Sequence, residues 1–209
     1  MSAICDCRGF VGAAVALPLD NVARMRSAAL YQRGQLQSLA PVKQNEPVSS
    51  RQALADAVAL WEVTSAEHVS DVIDAAVDAL VSGLDSPSLG ELAGARPTDS
   101  YRTLRPLAQD CLAELGIDYP GPQVHDLQVA AARAMCRRLL ATAITPRELA
   151  TWAHVVIGHE GAPELQQLVE LDDLYDDERE GGHCGQPAAA LDDLTIAEVH
   201  RLLDAAQPH

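Results

Sequence analysis

Apolar residues recur at helical spacing along most of the chain from residue 50 onward, and each run is bracketed by residues that start or stop a helix. Leu54, Val58 and Trp61 follow one another at intervals of four and three, which places them on one face at 3.6 residues per turn. Val69, Val72, Ile73, Ala76, Val77, Leu80 and Val81 form a second apolar stripe, with Gly83 as its left-handed stop. Ahead of it, Thr64, Ser65, Ala66 and Glu67 have the form of a capping box, in which a hydroxyl and a carboxylate each satisfy a free backbone donor. Ser86 and Pro87 read as the N-cap and first-turn proline of a short helix that Gly94 closes. Leu104, Leu107, Ala108, Cys111, Leu112 and Leu115 predict a helix over about residues 103–115, with Pro106 tolerated in its first turn.

The run GIDYPGPQ at 116–123 is dense in turn formers and predicts a joint between two helical halves. A helix over about 124–143 follows, carrying Arg133, Arg137 and Arg138. Thr145, Pro146 and Glu148 then mark the start of a helix that turns Leu149, Trp152, Ala153, Val156 and Ile157 inward and stops at Gly158. A helix over 163–179 and a Gly-Gly loop come next, and the Thr195–Glu198 box predicts the cap of a terminal helix bearing Val199, Leu202 and Leu203. The boxes have no constant spacing, so the chain is not a solenoid repeat. The expected fold is all-α, an irregular bundle of about seven helices. Residues 1–49, with a Gln- and Pro-containing polar run from Tyr31, read as a poorly ordered N-terminal arm or linker, and residues 50–209 as the helical domain.

Composition agrees with this pattern. Hydrophobic residues make up 48% of the chain but aromatics only 3%, so the core must be built from small and aliphatic side chains, which suits close helix packing and not a β sandwich. Basic residues are fourteen arginines and the single Lys43, a skew of genome composition and not of site chemistry. The formal net charge of −15 repels phosphate backbones and anionic lipid, which disfavours nucleic acid or membrane as partners. The apolar stretch 10–17 is too short and, with Asp6 before it, wrongly flanked for a signal peptide; no run approaches the roughly 18 residues of a membrane span. Five cysteines, Cys5, Cys7, Cys111, Cys136 and Cys184, are an odd number without disulfide or zinc spacing, as expected of reduced thiols in a cytoplasm. Cys111 and Cys136 fall in apolar helical patterns, where a free cysteine serves as a small hydrophobe.

One charge distribution stands out. Residues 170–180 contain seven acids, Glu170, Asp172, Asp173, Asp176, Asp177, Glu178 and Glu180, against Arg179 alone. On a helix, Asp172/Asp176 and Asp173/Asp177 are like-charge pairs costing roughly 0.2–0.5 kcal/mol each. They also lie toward the C-terminus, where the helix dipole disfavours negative charge by roughly another 0.3–1 kcal/mol. Two cationic sources can offset this: Arg133, Arg137, Arg138 and Arg147 of the same chain, or a basic partner protein. A divalent cation is a third, although these acids lack the register of a calcium loop.

His154, His159 and Glu160 lie at the end of a helix, in WAHVVIGHEG. Two histidines five apart do not share a helix face as metal-binding pairs four apart do, so a carbonyl-capping role at the helix end is the simpler expectation. His183 and Cys184 are adjacent, an arrangement that rarely makes a nucleophile and its base, and Cys5 with Cys7 supplies only two thiols of a zinc site. A helix-turn-helix over 145–179 is disfavoured because its second helix carries the acids.

The segments ALVSGLDSPSLGELAG at 79–94 and WAHVVIGHEG with ELQQLVELDDLYD at 152–176 resemble stretches of small bacterial helical proteins, some of them similar to immunity proteins that neutralise toxins. The resemblance covers about half of the chain and supplies no active residue; the acidic cluster and the absence of a catalytic motif carry the expectation of a non-enzymatic protein with no cofactor. The expectation is therefore an acidic interaction protein, immunity- or antitoxin-like, that presents the 170–180 face to a basic partner protein. The alternatives are an enzyme or metal-dependent regulator built on His154, His159 and Glu160, and a purely structural helical subunit.

Overall fold

The computed structural model describes residues 49–64, 68–119, 123–179 and 187–205. Among them are eight α-helices, one 3-10 turn and no strand: α1 Ser50–Thr64, α2 Val69–Val81, α3 Pro87–Ala93, α4 Tyr101–Glu114, α5 Val124–Leu140, α6 Pro146–Val156, the 3-10 turn Pro163–Leu165, α7 Gln166–Arg179 and α8 Ala188–Asp204. The all-α expectation holds. The expected N-terminal arm, Cys5, Cys7, Glu180 and the His183–Cys184 pair lie outside the described residues. No helix among the described residues is long and apolar enough to cross a membrane.

The core consists of two apolar clusters that meet on α1. Leu54, Val58 and Trp61 of α1 join Val72 and Ala76 of α2, Leu89 and Leu92 of α3, and Leu104, Cys111 and Leu112 of α4. Leu60, one residue from Trp61 and turned the other way, joins the second cluster, where Met135 and Cys136 of α5, Leu149 and Ala153 of α6, Leu168 and Tyr175 of α7, and Leu191 and Val199 of α8 pack together. Small residues set the spacing: Ala131, Ala132 and Ala134 on α5 are fully buried, which allows helices to approach closely. Cys111 and Cys136 are buried free thiols, and burial pushes them up to about 11 and about 12, so both stay protonated as small hydrophobes.

Helix ends follow local chemistry where the residues are free to cap. The Ser86 hydroxyl accepts the Leu89 N–H and Pro87 occupies the first turn of α3. At the end of α2, Gly83 takes φ +91° while its N–H reaches Leu80 O and the Leu84 N–H reaches Ala79 O, the paired bonds of a left-handed helix stop.

Other expected boundaries move. Thr64 is the last residue of α1 and donates its hydroxyl to Leu60 O, so it does not cap α2, which starts behind His68; Ser65–Glu67 lie outside the described residues. Thr195 sits in the middle of α8, fully buried, donating to Leu191 O and lying 3.2 Å from the Tyr175 hydroxyl. A hydroxyl buried against a tyrosine can continue a helix by bonding back one turn, which removes the signal that a cap would carry. α4 begins at Tyr101 with Ser100 as N-cap, which leaves Pro106 inside the helix beyond its first turn. Val77 and Val81, read as part of the inward stripe of α2, are 41% and 82% exposed, because α2 buries only Val72, Ile73, Ala76 and Ala79.

Candidate functional site

The acidic helix α7 packs along α6, and the two meet at a turn that α6 makes at its end. The capping box of α6 is complete: Thr145 accepts the Glu148 N–H, and Glu148 accepts the Thr145 N–H at 2.7 Å. The helix continues to Val156, after which Gly158 takes φ +67° and donates to Ala153 O. That left-handed residue turns the chain back toward the helix it has just left. Gly161 completes the turn in a space that admits no side chain, since a Cβ there would lie 2.5 Å from the Ile157 carbonyl oxygen. Gln166 Nε2 donates to Gly158 O and Gln128 accepts the Ala162 N–H. The carbonyls and donors of the turn are thus met by glutamines.

The turn brings two histidines together that helical spacing keeps apart. The rings of His154, on α6, and His159, one residue past Gly158, have centroids 5.0 Å apart and meet edge to face. Both face carboxylates of α7. His154 Nδ1 lies 3.1 Å from Asp172 Oδ2 and 3.3 Å from Asp173 Oδ1, and His159 Nε2 lies 3.7 Å from Asp173 Oδ2. His154, in the last turn of α6, thus directs Nδ1 at the carboxylates of α7. Glu160 is exposed on the same turn.

The seven acids of the 170–180 run divide by face. Asp172 is buried, with its other oxygen accepting the Thr151 hydroxyl at 2.8 Å. Asp176 meets Arg147 at 2.8 Å and Arg179 at 3.4 Å. Glu170, Asp173 and Asp177, spaced three and four apart, are exposed along one side of α7, and Glu178 is half-buried beside them. Of the four arginines expected to face this helix, only Arg147 does. Arg137 pairs with Asp56 on α1, Arg138 with Asp71 on α2, and Arg133 donates to Leu202 O on α8. The physical reason is that α5 packs mainly on α1, and its arginines find their partners on α1, α2 and α8.

Two further clusters of charge join helices, one between α1 and α4 and the other between α7 and α8. Glu62, buried, accepts from Tyr101 at 2.6 Å and from Arg105 at 3.0 Å. Tyr175 donates to Asp192 at 2.7 Å, and burial together with that carboxylate raises the Tyr175 phenol to about 12. Both hold helices together across the core. Comparison of the chain with protein-family models, with curated proteins and with solved structures finds no significant match in any of the three.

Proposed function

We propose that this chain is a non-enzymatic acidic interaction protein that docks a basic partner protein on the exposed side of α7, as an immunity- or antitoxin-like inhibitor would. The observation that carries the reading is a surplus of carboxylates that the chain cannot neutralise. Of its 15 basic and 30 acidic residues, five and three precede residue 49, which leaves ten arginines against 27 acids over residues 49–209. Three of those arginines, Arg51, Arg133 and Arg201, donate to backbone carbonyls, Arg201 while also pairing with Glu198. Glu170 and Asp177 are exposed on one side of α7 with Glu178 half-buried beside them, and Asp173 on the same side meets His154 and His159. Such a field speeds encounter with a positive surface more than it adds affinity. Asp172 is buried and Asp173 and Asp176 are already paired, so the docking face rests on Glu170, Asp177 and Glu178.

The test is a partner of net positive charge that co-purifies with the chain and is then measured against Glu170→Gln/Asp177→Asn/Glu178→Gln. The expected result is an association rate at least tenfold lower at low salt, converging on the unaltered protein near 0.5 M salt where charges are screened, with an unchanged circular dichroism spectrum. An unaltered rate in that variant rejects the face.

A further inference from the structure

The two histidines and the carboxylates opposite them make a site of a different kind. His154, His159 and Asp173 each offer a ligand atom, and these atoms all lie within 4.8 Å of one another. Ligands held around zinc at about 2.1 Å in a tetrahedron lie about 3.4 Å apart. The separations here bracket that value: 3.1 Å from His154 Nδ1 to Asp172 Oδ2, 3.3 Å to Asp173 Oδ1, and 3.7 Å from His159 Nε2 to Asp173 Oδ2. His159 and Asp173 are 57% and 50% exposed, which leaves them the rotamer freedom to close onto an ion.

A second, independent observation separates this cluster from an ordinary histidine–carboxylate contact. The Nδ1 atom of His154 is buried, yet it makes no hydrogen bond of acceptable geometry although two carboxylate oxygens flank it. A buried ring nitrogen is rarely left without a partner. A cation between the nitrogen and the oxygens satisfies all of them at once, since a lone pair and carboxylate charge point at the same place. The outer arrangement also suits a ligand set: Asp172 is held by the Thr151 hydroxyl on the oxygen that faces away from His154, as metal-binding carboxylates are held from behind.

We infer that His154, His159 and Asp173, with Asp172 beside them, bind a first-row divalent cation of the zinc type at the junction of α6 and α7. Two imidazoles and carboxylate oxygen, with no thiolate, are the donors that such ions favour over calcium or magnesium. Three protein ligands on a solvent-facing edge leave a coordination position for water or an incoming ligand. The bound ion offsets the carboxylate charge at Asp172 and Asp173 and fastens the glycine turn to the acidic helix. The site goes beyond the docking reading, and binding is measured with no partner present.

The experiment is calorimetric titration of Zn2+ into metal-stripped, tag-free full-length protein, with Co2+ absorption as a report on ligand type. One strong site is expected, with visible bands of Co2+ in a nitrogen and oxygen environment and no thiolate charge-transfer band. Affinity falls at least tenfold in His154→Ala, His159→Ala and Asp173→Asn. Thr151→Val, which touches no ligand atom of the ion, lowers it by about tenfold. His159 and Asp173 are on the surface, so the last two ligand variants remain informative if His154→Ala unfolds. Absence of binding overturns the inference. So does binding that survives all three ligand substitutions and is lost in Cys5→Ser/Cys7→Ser/Cys184→Ser, which moves the ion to the thiols.

Discussion

At the scale of single residues, two glycines shape the site more than any charged group does. Gly158 adopts a left-handed φ that costs a side-chain-bearing residue about 1–2 kcal/mol. Gly161 lies against the Ile157 backbone with no room for a methyl group. Gly161→Ala is therefore expected to destabilise the protein by about 1–3 kcal/mol, as overpacking does, read as a lower urea midpoint at unchanged slope. An unchanged midpoint would mean that the turn shifts without cost. The sequence contains both glycines in plain view. What it does not contain is the direction of the chain after them, so two histidines five apart read as separate when they are neighbours.

At the scale of elements, α6 is the helix whose start was most legible and whose chemistry gives a pH dependence. The Thr145 N–H and hydroxyl donate to the Glu148 carboxylate at 2.7 and 2.9 Å and hold it below the usual carboxylate value. A carboxylate whose pKa is lowered by folding adds stability that is present above its unfolded value, about 4.3, and is lost as the pH falls through the folded value. Glu148→Gln should therefore flatten the decline in stability between about pH 5 and pH 3, measured by thermal unfolding across that range. A decline as steep as in the unaltered protein would place the loss elsewhere. The same pairing of threonine and glutamate misleads at Thr195 and Glu198, where tertiary packing decides. Glu198 pairs with Arg201 one turn on, and Thr195 faces the Tyr175 hydroxyl. A capping signal holds where the hydroxyl is left to the helix N-terminus, as at Ser86 and Thr145, and fails where packing draws it elsewhere, as at Thr195.

At the scale of the whole molecule, α1 joins the two apolar clusters, and its contact with α5 carries a charged clamp. The Arg137 guanidinium donates Nε–H to Asp56 Oδ2 at 2.7 Å and a second N–H to the other oxygen, in a pair whose side chains are 24% and 16% exposed. Hydrogen bonds to charged groups in such partly buried settings contribute roughly 1.5–3 kcal/mol. Asp56→Ala should lower stability by about 2 kcal/mol, and a cycle with Arg137→Ala should give a coupling above about 0.5 kcal/mol. Additive losses would show that the two residues act separately. The clamp also explains the sparse neutralisation of α7. Three arginines of α5 are occupied at α1, α2 and α8, so the acidic helix keeps its exposed stripe.

The sequence by itself determined the helical class, most helix positions, the burial of Cys111 and Cys136 and the crowding of carboxylates on α7, because each depends on local periodicity and on composition. Tertiary structure alone decided which arginines reach those carboxylates, that Asp172 is buried while Glu170 and Asp173 are exposed, and that His154 and His159 come together beside Asp173. Those outcomes depend on the angle at which one helix crosses another and on the hand of a single glycine, quantities set by packing over the whole chain and encoded in no short stretch of it.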